Sequence, residues 1–160
     1  IIHSERKKPL QALADFCDEY LEGTINTIHI LPFFPYSSDR GFSVIDFEAV
    51  DPRLGTWADI EKLEEKYQLM FDGVINHVST QSRWFREFLN ADRYYKFFFI
   101  TFNSPDELTK EQRQLIFRPR TSDSLNKFHT LEGAKYVWAT FSKDQVDLNY
   151  KNPARKKSGD

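Results

Sequence analysis

Cysteine is nearly absent from this sequence: Cys17 is the only one among 160 residues, so no intramolecular disulfide can form and nothing argues for an oxidising compartment. An excess of either charge is lacking too. With 22 basic and 24 acidic residues the formal net charge is −2, which removes the electrostatic case for nucleic acid or an anionic membrane surface as a partner. No apolar run approaches the roughly 18 residues of a membrane span. The opening IIHSERKKPL has neither the apolar stretch of a secretion signal nor an initiator Met, so the expectation is a cytoplasmic protein whose beginning is missing. Internal repeats and low-complexity tracts are also absent.

Aromatic residues are what the chain has in plenty. They make up 16% of it, and 15 are Phe, which fits a Phe-rich core first and stacking surfaces for a flat ligand second. From Pro9 to Glu22 the apolar positions Leu10, Leu13, Ala14, Phe16, Cys17, Tyr20 and Leu21 recur at spacings of three and four, predicting a helix that ends at Gly23. Thr24–Phe34 is a β-branched and aromatic run of strand character, closed by Pro32 and Pro35. A long Ser-, Asp-, Pro- and Gly-rich loop follows. Thr56 then caps a second helix, Trp57–Tyr67, and Leu69–Asn76 reads as a second strand. Helix, strand, helix, strand is the alternation of a parallel α/β sheet.

Beyond His77 that rhythm stops. Ser82–Leu89 predicts a short helix, Tyr94–Phe102 an aromatic strand, and Ser104–Leu115 a helix opened by SPDE. Phe117–Thr130 reads as irregular and Lys135–Thr140 as a strand, and the basic, polar KNPARKKSGD carries no periodicity.

Residues with chemistry gather beyond the two predicted strands. Asp72, Asn76 and His77 close the second, and Asp39, Arg40 and Phe42 follow the first. A carboxylate, an imidazole, an amide and an aromatic ring at neighbouring strand ends suit a sugar, whose hydroxyls need fixed donors and acceptors and whose C–H faces need flat apolar surface. Each residue also has a plainer reading: Asp72 as a partner for backbone or an arginine, Asn76 as a loop cap, His77 as a satisfied polar group.

DGVINHVS, Asp72–Ser79, resembles the D-x-x-x-N-H segment at the third barrel strand of the α-amylase superfamily, glycoside hydrolase family 13. Leu31–Leu63 resembles the second strand, its loop and the next helix. HILPFFP, SSDRGFS, FRPR and VWATFSKDQVDLN together resemble the sucrose phosphorylase branch, which includes sucrose-6-phosphate and glucosylglycerate phosphorylases. The resemblance runs from Pro9 to Pro153. It implies an α/β fold: part of a (β/α)₈ TIM barrel over 1–77, holding strands two and three with flanking helices, then a small inserted α+β domain B over 78–150 and a polar tail over 151–160. A whole barrel needs about 250 residues, so only part of one fits.

By the same resemblance Asp39 would hold glucosyl hydroxyls, Phe42 and Phe141 would line that subsite, and His77 would contact the 6-hydroxyl. Arg118 and Arg120 would meet phosphate or acceptor, although Arg118 can equally, and Arg120 less readily, be a surface ion-pair arginine, and Phe141 a core residue. Asp72, Asn76 and Asp147 would support the site. No metal and no cofactor is implied; the partners are an α-glucoside such as sucrose and inorganic phosphate, with a homodimer possible for the whole enzyme. The implied reaction is a retaining double displacement using Asp, Glu and Asp at the fourth, fifth and seventh strands, which would all fall after Asp160. The expectation is therefore a piece of a glucosyl-transferring phosphorylase that supplies substrate-binding residues only. The alternatives are a piece of an α-glucosidase or amylase-type hydrolase, and a non-catalytic carbohydrate-binding module or remnant.

Overall fold

Helix α1 (Pro9–Tyr20) begins with a proline, which has no N–H to leave unpaired, and the Gln11 side chain accepts from the Lys8 backbone N–H at 3.2 Å. Leu10, Ala14 and Cys17, four and three apart, form its buried face. The structure, a computed structural model, describes residues 7–117 and 123–151. Strand β1 (Thr27–Ile30), helix α2 (Trp57–Glu64) and strand β2 (Gln68–Phe71) follow. Asp59 closes the start of α2 by accepting from the Thr56 backbone N–H at 2.8 Å.

β1 and β2 are parallel, with Thr27 opposite Gln68 and Ile30 opposite Phe71. Alternation along β1 sends Ile28 and Ile30 into the core formed with α1 and α2, where Ile60, Leu63 and Tyr67 join them. His29 lies on the opposite, barer face, opposite Met70, which is 52% exposed. Burial pushes the Cys17 thiol up, with the Asp18 charge adding to the effect, so Cys17 packs rather than reacts. Among the described residues no helix is long and apolar enough to cross a membrane.

The remaining elements are β3 (His77–Ser79), α3 (Arg83–Leu89), β4 (Thr101–Phe102), α4 (Lys110–Gln114), β5 (Leu125–Thr130), β6 (Gly133–Trp138) and β7 (Gln145–Asp147). β3 and β7 pair antiparallel, with Val78 opposite Val146. β4, β6 and β5 form a second antiparallel sheet in that order. Phe85 on α3 meets Phe99 and Phe128 edge to face, at ring separations of 5.1 and 4.9 Å, in a separate core with Val78, Val137 and Val146.

Four expectations are corrected. The strand expected over Leu69–Asn76 ends at Phe71; residues 72–76 are irregular, and His77–Ser79 forms a separate strand because its ladder partner is β7, far along the chain. Tyr94–Phe102 is not one strand. The Asp92 carboxylate accepts from the backbone N–H groups of Tyr94 and Tyr95 and curls the chain into a turn at Tyr95–Phe97, leaving only Thr101–Phe102 extended. Ser104–Leu115 is split, because the turn capped by Ser104 stops at Leu108 and Thr109 caps a new start for α4. The end of the stretch expected to be irregular, Leu125–Thr130, is a strand because β6 returns beside it through a hairpin whose Gly133 takes φ +112°.

One polar tie joins these parts. The Asp144 carboxylate accepts from Ser37 and Ser38 at 2.5 Å each, from Ser43 at 2.7 Å and from Thr80 at 2.7 Å, while the Ser79 hydroxyl reaches Ser37 at 2.6 Å. Three hydroxyls crowd Oδ2, and Thr80, with Ser79 farther off at 3.3 Å, serves Oδ1, so both oxygens have donors. Burial opposes ionisation of Asp144, but the hydroxyls of Ser37, Ser38, Ser43 and Thr80 outweigh it and hold the carboxyl below its ordinary 3.8.

Two outcomes follow from this packing. Leu63→Ala, at a side chain 2% exposed, is expected to lower stability by about 2–5 kcal/mol, read from urea unfolding. Asp144→Asn is expected to cost about 1–3 kcal/mol at pH 7, because a donor replaces an acceptor. A lowered carboxylate stabilises fully above its unfolded value and loses that contribution as pH falls through its folded one. The gap between wild type and Asp144→Asn should therefore hold above about pH 4 and close below it; a gap unchanged down to pH 2 would contradict an ionised tie.

Candidate functional site

The loop leaving β1 makes a tight turn at Asp39–Gly41, where φ is 55°, 52° and 107° in succession. A Cβ on Gly41 would lie 2.8 Å from the Pro32 carbonyl oxygen, so the close approach requires glycine. Asp39 and Arg40 have no such excuse, and left-handed backbone at each costs on the order of 1–3 kcal/mol, strain that persists where the surroundings over-determine a functional geometry. The turn presents the Asp39 carboxylate to Gln145 on β7, whose Nε2 donates to Asp39 Oδ2 at 2.9 Å.

Gln145 also reaches His77. Its Nε2 lies 3.1 Å from His77 Nε2, which in turn lies 2.9 Å from the Phe42 carbonyl oxygen. A carbonyl only accepts, so the bond to Phe42 needs the proton on Nε2; an amide NH₂ only donates, so a bond from Gln145 needs a lone pair there. Both contacts cannot be hydrogen bonds at once. The Gln145 amide is oriented by its other partners, since Ser142 donates to Oε1 at 2.9 Å and Nε2 already serves Asp39. The His77 proton therefore belongs with Phe42, leaving Nδ1 as the acceptor facing Asn76 Nδ2 across a long 3.4 Å. His77 is only 6% exposed, and its ring packs against Phe141 at 5.3 Å, tilted by 60°.

Asp39, the Phe42 backbone carbonyl, His77 and the Phe141 ring thus come together from three separate stretches of chain, and Gln145 touches Asp39 and His77. Asp147 lies opposite His77 in the β3–β7 pair, and its carboxylate accepts from the Thr140 backbone N–H at 2.9 Å and hydroxyl at 2.5 Å, fixing the segment that carries Phe141. Asp72 is hydrogen-bonded elsewhere, to His29 Nε2 at 3.1 Å across β1 and β2. Arg118 and Arg120 lie outside the described residues. Sequence reasoning passed over Gln145, Asp144 and His29. The first had a usable signal, because a period of two along QVD puts Gln145 on the face of Asp147, whereas the other two owe their roles to partners distant in sequence.

Chemically, the set offers a carboxylate acceptor, an imidazole, an amide and the aromatic ring of Phe141, the complement of a polyhydroxylated ring. Among the described residues no group of three or more His, Cys, Asp or Glu side chains could hold a metal ion. A cavity of about 270 Å³ lies apart, lined by residues including Phe47, Arg83, Trp84 and Tyr95, and shares none of this set.

Residues 19–158 match the family described as the α-amylase catalytic domain. A glucosylglycerate phosphorylase of Spirochaeta thermophila is 50% identical over 145 residues, which is 91% of this chain and 24% of that protein. A sucrose phosphorylase of Streptococcus mutans is 33% identical over 148 residues, covering 89% of this chain and 31% of its own length. The crystal structure of sucrose 6F-phosphate phosphorylase from Thermoanaerobacter thermosaccharolyticum superposes with a TM-score of 0.78 at 33% identity, over 92% of this chain and 32% of that one. The chain thus spans about a quarter to a third of the length of these relatives. With the family match covering most of its length, this chain belongs to the α-amylase catalytic-domain family.

Proposed function

We propose that this chain forms the glucosyl-binding side of a retaining α-glucoside phosphorylase, an enzyme that passes a glucosyl group from a sugar such as glucosylglycerate or sucrose to inorganic phosphate. The observation that carries the reading is the convergence of Asp39, Gln145 and His77 beside the ring of Phe141, with the Phe42 backbone carbonyl accepting from His77. In this reading Asp39 accepts from glucosyl hydroxyls, His77 meets the 6-hydroxyl and the rings cover the apolar face of the sugar. The identity to glucosylglycerate phosphorylases, 50% in two organisms, supports that branch over a hydrolase.

Residues 1–77 then contribute barrel strands two and three, 78–150 the inserted domain B, and 151–160 a polar tail. Arg118 and Arg120 take the phosphate or acceptor, for which the guanidinium fork is well shaped. Asp72, paired with His29, keeps a structural role at the barrel mouth, as do Asn76 and Asp147. In this reading the chain supplies sugar-positioning residues and neither the attacking aspartate nor the protonating glutamic acid of the reaction.

Calorimetric titration of the chain with D-glucose tests this reading. A millimolar Kd is expected, with His77→Ala and Asp39→Ala each weakening it about tenfold, the loss of one well-placed polar contact. A folded chain that releases no heat with glucose would count against it.

A further inference from the structure

The set of side chains proposed to hold the sugar is assembled from pieces with little in common along the sequence, and one group touches nearly all of them. Asp144 meets both ends of the strained turn that carries Asp39: Ser37 and Ser38 approach from its entrance and Ser43 from its exit. It meets β3 through the Ser79 hydroxyl, 3.3 Å from its Oδ1, and the residue after β3, where the Thr80 hydroxyl donates to its carboxylate and the Thr80 backbone N–H to its carbonyl oxygen at 3.0 Å. Its own neighbour in the chain is Gln145, which donates to Asp39.

We propose that Asp144 is a positioning residue for the sugar-binding set: its carboxylate clamps the Asp39–Gly41 turn against β3 and β7, and the Asp39–Gln145–His77 contacts depend on that clamp. This rests on the reading of the set as a glucosyl site. Three features favour positioning over simple cohesion. The turn has left-handed backbone at Asp39 and Arg40, which needs outside constraint to persist. Backbone bonds across its ends, Ser37 N–H to Ser43 O at 3.0 Å and Ser43 N–H to Ser38 O at 3.3 Å, close the loop on itself but do not attach it to β7. The attachments to the β7 side are the hydroxyl bonds to the Asp144 carboxylate, a bond from the Ser43 hydroxyl to the Asp144 backbone carbonyl at 3.3 Å and the amide bond from Gln145, while β3 holds the exit through Ser79 N–H to Val44 O at 2.8 Å; removing the carboxylate frees the Ser37–Ser38 entrance of the turn from β7.

A carboxylate is specifically required. Hydroxyls arrive on both oxygens, three on Oδ2, and Thr80 with Ser79 at 3.3 Å on Oδ1. An amide of the same shape would turn an NH₂ toward one group or the other, so that the hydroxyls there would have to reverse from donor to acceptor and the charge that draws them in would be lost, without altering volume.

The test uses the full chain and two readouts. By NMR, Asp144→Asn is expected to lose the cross-relaxation between the Gln145 side-chain amide and the His77 ring, while the methyl signals of Ile60 and Leu63 in the other core stay put. By D-glucose titration, Asp144→Asn and Gln145→Ala should each weaken binding about tenfold and the double variant no further, because both act through one contact. Retained Gln145–His77 contacts, or losses that multiply in the double variant, would overturn the proposal. If wild type fails to bind glucose, the glucosyl reading falls and the NMR contacts still decide whether Asp144 positions Gln145. Should Asp144→Asn not fold, Ser38→Ala removes one of the hydroxyls on Oδ2 and is expected to weaken the same contacts; unaltered contacts there would overturn the proposal equally.

Discussion

Four hydroxyl donors converge on the Asp144 carboxylate, and the segments that supply them also carry Asp39, Phe42 and His77. Such an arrangement is costly unless every partner is present, since a partly buried charge without its donors would give up solvation for nothing. Here the donors prevail over burial and keep the carboxyl ionised. The consequence is structural: a loop of Ser, Asp and Gly, pinched at its base by the Tyr36–Val44 bridge, is tied by side-chain bonds to β3 and the segment that opens β7. On that tie rests the left-handed turn, and on the turn rests the approach of Asp39 to Gln145.

Two apolar cores support this polar junction from either side. One lies between the parallel pair and helices α1 and α2; the other is built around Phe85, Phe99 and Phe128 under the antiparallel strands. The abundance of phenylalanine is therefore mostly a matter of packing, and only Phe42 and Phe141 stand at the candidate site. The opposite face of β1 and β2, with His29, Leu31 and Met70, remains open. Two parallel strands covered by helices on one face and bare on the other suit membership of a family of barrel enzymes, in which that bare face looks into the barrel.

How much could be read from the sequence follows from where each signal resides. Helix starts are written locally: Pro9, the Thr56–Asp59 box and Ser82 each show a donor, an acceptor or a missing N–H within four residues, and all three helices begin where expected. Strand limits are written in partners. Nothing in VINHVS states that His77–Ser79 will leave the line of β2 to pair with Gln145–Asp147, and nothing in LNKFHT reveals β6 before the hairpin brings it back. The candidate site divides in the same way. Asp39, Phe42 and His77 were legible from their places after strands and from motif resemblance, whereas Gln145 and Asp144 acquire meaning only once strands remote in sequence are joined.

The central claim is that a glucosyl ring is held between Asp39 and His77 against Phe42 and Phe141. A crystal structure of the chain soaked in D-glucose tests it most directly. The expected result is density for one glucose with a hydroxyl within hydrogen-bond distance of Asp39 and its 6-hydroxyl facing His77. Glucose seated only in the separate cavity beside Phe47 and Trp84, with the His77 set unaltered, would contradict it.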